Sequence, residues 1–316
     1  MNKLNAYQRV ALLTVLATLF LILVGGLVRA AGAGLGCPDW PKCFGVWIPP
    51  TNVADLPAGF DPTLFNPVHT WLEYINRLIG VLIGFLILLT FALSFRYRKT
   101  DPIITISSAA AFVFVLFQGW LGGQVVRSGL EAGMITIHMV MAMVIVNVLL
   151  YATYRANRER WFYPLDAKNR SFFKKIGITL LAFTMVQLIL GTQVREMVDV
   201  VKNTLDLPRE MWLDTENLLY RIHRSFSWIV LILAVVLFFK IKKEHVQGIF
   251  RRLGITIVML IILQMLLGLG MERLGMPGVF QLLHLVSVAV LICAEFLFVL
   301  ISNPSSQTSL RARTRA

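Results

Sequence analysis

Five histidines occur in this 316-residue chain, and four of them lie in unexpected company. His69, His138, His223 and His284 each sit near one end of a long apolar run, whereas His245 falls in a lysine-rich turn that water can solvate. One histidine in such a place is most often a structural residue with its hydrogen bonds satisfied. Four of them, two in each half of the chain, call for a common role, and imidazole is the commonest metal ligand among side chains. A zinc site would need cysteine or carboxylate ligands at short spacing, and none accompany these histidines. Two histidines projecting from facing helices into a bundle core form instead the arrangement that holds a haem iron from both sides.

The densest chemistry is in His69-Thr-Trp-Leu-Glu73-Tyr-Ile-Asn76-Arg77, which opens an apolar run continuing to Phe95. Positions 69, 73 and 76 are spaced by four and three, so they share one helical face. Ionisable groups at membrane depth cost roughly 2.5–3.5 kcal/mol each on insertion scales, so they usually face a protein interior and act there. Arg29, Arg77, Arg127, Arg195, Arg224 and Arg273 also end apolar runs. Guanidinium groups bind carboxylates through paired hydrogen bonds, which suits the propionates of a haem; snorkelling to the interface is the simpler alternative. Cys37 and Cys43 flank a segment with two prolines and a tryptophan. Their spacing is compatible with a small disulfide loop, structural or redox-labile. Cys293 stands alone in the last run and reads as packing.

These residues must be positioned by long helices. The chain is 57% hydrophobic and 15% charged, with a mean hydropathy of +0.72. Apolar runs near 10–28, 78–95, 103–126, 132–154, 176–194, 218–239, 253–271 and 278–301 each approach the length that crosses a hydrocarbon core of about 30 Å. The expected fold is an all-α integral membrane protein with eight transmembrane helices. No alternating polarity supports a barrel. The first run is too long for a signal-peptide core and is expected to be retained. No Arg/Ser-rich transit segment precedes it, which favours a bacterial protein. Segments 3–9, 96–99, 155–175, 240–252 and 311–315 hold 20 of the 30 Lys and Arg residues, which places both termini and these turns in the cytoplasm of a bacterial inner-membrane protein. The net charge of +13 thus reflects topology and anionic lipid rather than nucleic acid.

The two halves echo each other. Gln118-Gly-Trp-Leu-Gly-Gly-Gln-Val-Val-Arg127 matches Gln264-Met-Leu-Leu-Gly-Leu-Gly-Met-Glu-Arg273, and His138 matches His284, all 146 residues apart. Tyr74-Ile-Asn76-Arg77 matches Arg221-Ile-His223-Arg224 at a separation of 147. Four helices per unit give both units the same membrane orientation, a parallel repeat of two four-helix bundles. The expected division is 1–160 for a first bundle carrying the cysteine loop, 161–303 for a second, and 304–316 for a disordered cytoplasmic tail. Gly119, Gly122, Gly123, Gly268 and Gly270 would let a flat ring approach the helices, or simply serve helix packing.

Taken together, these residues resemble the haem A synthases of the bacterial and mitochondrial type. The resemblance runs from Gly-Gly-Leu-Val-Arg29 to His284, and its most specific parts are Gly34-Leu-Gly-Cys-Pro-Asp-Trp-Pro-Lys-Cys43, Glu73-Tyr-Ile-Asn76-Arg77 and Ile222-His223-Arg224. It implies oxidation of a haem O methyl group to the formyl group of haem A, for haem-copper oxidases. It implies a haem b ligated by His223 and His284, a substrate haem ligated by His138, Glu73 as the reaction-site carboxylate, and the outer cysteine pair at Cys37 and Cys43. Arg77, Arg127, Arg224 and Arg273, with Asn76, are candidate propionate or site contacts. Haem O synthase and oxidase assembly factors are the implied partners, besides membrane lipid. One position departs from the family pattern Glu-x-x-His-Arg: residue 76 is asparagine. Either His69, about 10 Å earlier along a helix, replaces the ligand through a shifted haem or a local break, or the substrate iron keeps one strong ligand. Two other functions fit the histidines: a dihaem carrier moving electrons from quinol to an outer acceptor, and a haem-handling transporter or chaperone.

Overall fold

A computed structural model describes residues 3–161, 163–204, 207–213 and 216–303, without the side chains of residues 203 and 210. The tail expected over 304–316 lies outside the described residues. Among those residues, eight helices are long and apolar enough to cross a membrane, and no strand is present beyond one bridge between Cys43 and Val46. They are α1 (Ala6–Ala30), α2 (Pro67–Ser94), α3 (Pro102–Arg127), α4 (Ala132–Ala156), α5 (Ala167–Thr204), α6 (Leu218–Lys243), α7 (Gly248–Arg273) and α8 (Gly278–Ile301). Asn5 and Gln8 form a reciprocal cap that starts α1. Asn66 starts α2 by accepting the amides of Val68 and His69, with Pro67 at the first helical position.

The turn after α3 and the turn after α7 have the same construction. Gly129 and Leu130 both have positive φ (66° and 68°), as do Gly275 and Met276 (66° and 56°). In each, the second residue donates its amide five positions back, Leu130 to Val125 (3.0 Å) and Met276 to Met271 (2.9 Å), closing the helix end.

α5 is much longer than its apolar run at 176–194. Its 38 residues extend roughly 57 Å at 1.5 Å each, well beyond a 30 Å core. Hydropathy missed the extensions because their polar residues hide a buried stripe: Phe173 and Val198 are fully buried. The lysine-rich start is anchored by Asn169, whose side-chain nitrogen donates to Asp166 (2.6 Å) and to Glu244 just past α6 (2.8 Å). The amide of Asn169 also holds the Asp166 carboxyl below the usual carboxylate range.

The chain divides into two compact units, one to Leu149 and the other from Leu150. In the first, α2 packs between α1 and α3, with polar ties between Tyr7 and Ser108 (3.0 Å) and between Thr14 and Thr90 (2.8 Å). Such side-chain bonds hold helices together where lipid removes the hydrophobic drive. In the second, α5 to α8 pack as a closed ring of neighbours around Phe173, Phe250 and Phe298. Glu295 on α8, fully buried there, accepts the hydroxyl of Thr184 on α5 (3.0 Å); sequence reading did not single it out.

Candidate functional site

Three of the four histidines share one setting. A Cβ placed on Gly122 of α3 would lie 3.5 Å from Cε1 of His138 on α4. The same construction gives 3.4 Å between Gly191 of α5 and His223 of α6, and 3.9 Å between Gly268 of α7 and His284 of α8. Each ring thus lies at van der Waals distance over a small residue on the neighbouring helix. One turn before each glycine a glutamine fixes the register. Gln118 donates to the backbone oxygen of His138 (3.0 Å), Gln187 to that of His223 (3.0 Å), and Gln264 to that of His284 (2.9 Å). In all three rings Nδ1 is buried without a hydrogen-bond partner. An unsatisfied buried polar group costs about 1–3 kcal/mol, and these three recur at matching positions.

The fourth such place holds no histidine. There Gly25 of α1 faces Asn76 of α2, with the asparagine Oδ1 3.8 Å from a Cβ on the glycine, buried and without a partner. The glutamine is also missing: one turn before Gly25 stands Leu21, whose side chain reaches Gly80. His69 lies at the third position of α2, half-buried, two turns from Asn76. The helix runs unbroken from Pro67 to Ser94, so no local break carries His69 into the asparagine's place.

Glu73 and Arg77 join this site to the cysteine loop. Cys37 and Cys43 form the expected disulfide, and with Phe44 and Phe65 they make a buried cluster. Glu73, 5% exposed, accepts the amide of Cys37 (3.0 Å) and pairs with Arg77 (2.5 Å). Arg77 donates in turn to the carbonyls of Asp39 (2.8 Å), Lys42 (2.8 Å) and Cys37 (3.4 Å). Its guanidinium is therefore spent on the loop. The loop sends Trp40 against α3, where a Cβ on Gly123 would lie 2.9 Å from the indole. Gly122, the preceding residue, faces His138.

The loop's seat on α2 is tight. A Cβ on Gly36 would lie 2.3 Å from the His69 carbonyl oxygen, and Gly36 itself accepts the Thr70 hydroxyl (2.8 Å). Both colliding groups are backbone, so neither can rotate away. Gly36→Ala is expected to lift the loop and destabilise the protein by roughly 1–3 kcal/mol. A lowered midpoint of thermal unfolding in detergent, with altered Trp40 emission, is the expected readout; an unchanged midpoint and spectrum would contradict this account of the seat.

The remaining arginines divide. Arg224 pairs with Glu272 (3.1 Å), which also accepts the Tyr220 hydroxyl (2.6 Å). Arg195 bonds Gln281 and pairs with Asp199 (2.8 Å). Arg127 and Arg273, in matching positions of their units, are exposed and have no side-chain partner among the described residues. Cys293 is a buried free thiol.

The family of cytochrome oxidase assembly proteins, COX15-CtaA, matches residues 8–296. The chain belongs to that family. It is 32% identical over 151 residues to heme A synthase of Shewanella oneidensis, covering 47% of this chain and 45% of that protein. It is 27% identical over 173 residues to heme A synthase of Alkalihalophilus pseudofirmus, 54% of each. These two alignments span about half the length of the relatives concerned. The match to heme A synthase of a Wolbachia from Brugia malayi is longer, 24% identical over 320 residues, covering 88% of this chain and 92% of that protein. The matched span includes His69, His138, His223, His284, Glu73 and both disulfide cysteines. Gln187, Trp40 and Glu272 were missed from sequence; the recurrent glutamine one turn before a glycine was the available signal for the first.

Proposed function

We propose that the protein is a haem A synthase, a membrane enzyme oxidising a methyl group of haem O to the formyl group of haem A. The observation that carries this reading is the recurrent glutamine–histidine–glycine setting, twice in the second unit and once in the first. The Nδ1 atoms of His223 and His284 are both buried without a hydrogen-bond partner. That donor set fits a haem b held by two imidazoles, with apolar walls for the porphyrin. When bound, such a group supplies one-electron transfer. His138 holds the substrate haem O in the first unit.

The chain's own groups then have distinct tasks. Gln118, Gln187 and Gln264 set the helix registers from which the rings project. The disulfide loop, clamped by Glu73 and Arg77, brings Trp40 beside the His138 site and excludes water from it. Glu73 is the reaction-site carboxylate, an acceptor for protons released as the methyl carbon is oxidised. Arg127 and Arg273, free of protein partners, are the propionate contacts that the arrangement leaves available. The arginine and lysine distribution supports a topology with both termini on the cytoplasmic side of the membrane.

The test is production of the formyl porphyrin. Expression with a haem O source, then extraction and mass analysis of the haems, is expected to yield haem A. Recovery of haem O alone, with the protein folded and loaded, would favour an electron carrier or a haem-handling protein instead.

A further inference from the structure

The two units differ at one point that decides what an iron in each could do. In the second unit both small-residue seats, Gly191 and Gly268, are covered by histidines; in the first, Gly122 is covered by His138 but Gly25 by Asn76. We propose that the first unit gives the substrate iron one imidazole only, and that Asn76 lines an open coordination position there, which takes a small ligand such as water or a diatomic molecule. This rests on the reading of the protein as a haem A synthase.

Three observations carry it. Asn76 stands in the place that a histidine holds over the matching glycine elsewhere, and α2 is continuous there, so His69 stays two turns away. The asparagine Oδ1 is buried with no partner, so it remains free to accept a hydrogen bond from a small donor such as water. Leu21, in place of the register-setting glutamine, adds no polar group that would compete for that oxygen. A carboxamide is a poor ligand for haem iron but a good hydrogen-bonding neighbour to something bound at it. An iron gripped by two imidazoles has no vacancy and suits electron transfer, whereas one held by a single imidazole can meet a reactant. The asymmetry thus separates the oxidising site from the electron-transfer site.

The experiment uses the full chain, purified in detergent and titrated with hemin; paramagnetic resonance spectra are read on the ferric protein, and optical spectra after reduction with dithionite, with and without carbon monoxide. The wild type is expected to show one low-spin haem indifferent to carbon monoxide and one that binds it. Asn76→His is expected to make the second low-spin and to weaken carbon monoxide binding at least ten-fold. His69→Ala is expected to leave carbon monoxide binding unchanged. Two low-spin haems in the wild type, neither binding carbon monoxide, would overturn the assignment of Asn76 while leaving the wider reading intact. Carbon monoxide binding that is the same in wild type and Asn76→His would do likewise. No hemin bound by either protein would overturn both.

Discussion

Glu73→Gln is expected to leave the haem of the second unit in place and to stop turnover, so that haem O or its alcohol intermediate accumulates. The glutamine keeps the shape of the carboxylate and can still accept the Cys37 amide, but it cannot neutralise Arg77. Removing one partner of a buried pair costs about 3–5 kcal/mol, much of it from the charge left behind. Loss of a positioned proton acceptor typically lowers a rate by about 10²–10⁴-fold. Haem extraction and mass analysis give the product ratio, and the Cys37→Ser/Cys43→Ser variant separates the two roles of Glu73. If Glu73 acts only through the loop, the double cysteine variant should lose as much activity. If it acts on protons, Glu73→Gln should lose far more while the disulfide remains formed. Full haem A yield from Glu73→Gln would refute both roles.

The second large effect is in the other unit. His223→Ala or His284→Ala is expected to remove the low-spin spectrum of haem b, because each takes away one of the two imidazoles proposed to hold it. The glycine seats offer no donor, and the nitrogens of Gln187 and Gln264 are already engaged, by the histidine backbone oxygens and, for Gln264, the Ser287 hydroxyl as well. His138→Ala should leave that spectrum intact and abolish haem A formation. Visible and paramagnetic resonance spectra of the purified variants decide it; an unchanged bis-histidine spectrum in either of the first two would sink the ligand assignment.

Much of this site was legible in the sequence, for identifiable reasons. A histidine in an apolar run is conspicuous, and constant separations of 146 and 147 residues exposed its partners. The disulfide was legible because two cysteines six positions apart in a loop have few other partners. The glycines were noticed, for a flat ring or for plain helix packing; in the structure Gly122 and Gly268 meet imidazoles, Gly123 meets Trp40, Gly270 meets Phe280, and Gly119 meets nothing within 4 Å. Which side chain a glycine faces depends on helix rotation, and periodicity alone does not give that angle. The bonds from Arg77 to loop carbonyls were illegible for a related reason. Backbone acceptors carry no residue signature, so a guanidinium that binds them looks the same in sequence as one awaiting a propionate. The length of α5 escaped because hydropathy measures apolar content and not the continuity of a helix.

The bonds from Gln118, Gln187 and Gln264 to the histidines end on backbone oxygens, with one more from Gln264 to the Ser287 hydroxyl, and use no ring nitrogen. They are therefore indifferent to whether an imidazole is liganded. A site braced in this way keeps its shape as it fills and empties, so little ordering free energy opposes loading or release. For an electron-transfer group bound once and kept, that property has small value. For a protein whose reactant and product are both bulky porphyrins, it means that each cycle can begin from a pocket already set. Exchange of one haem for the next then becomes a matter of iron–nitrogen affinity, not of refolding.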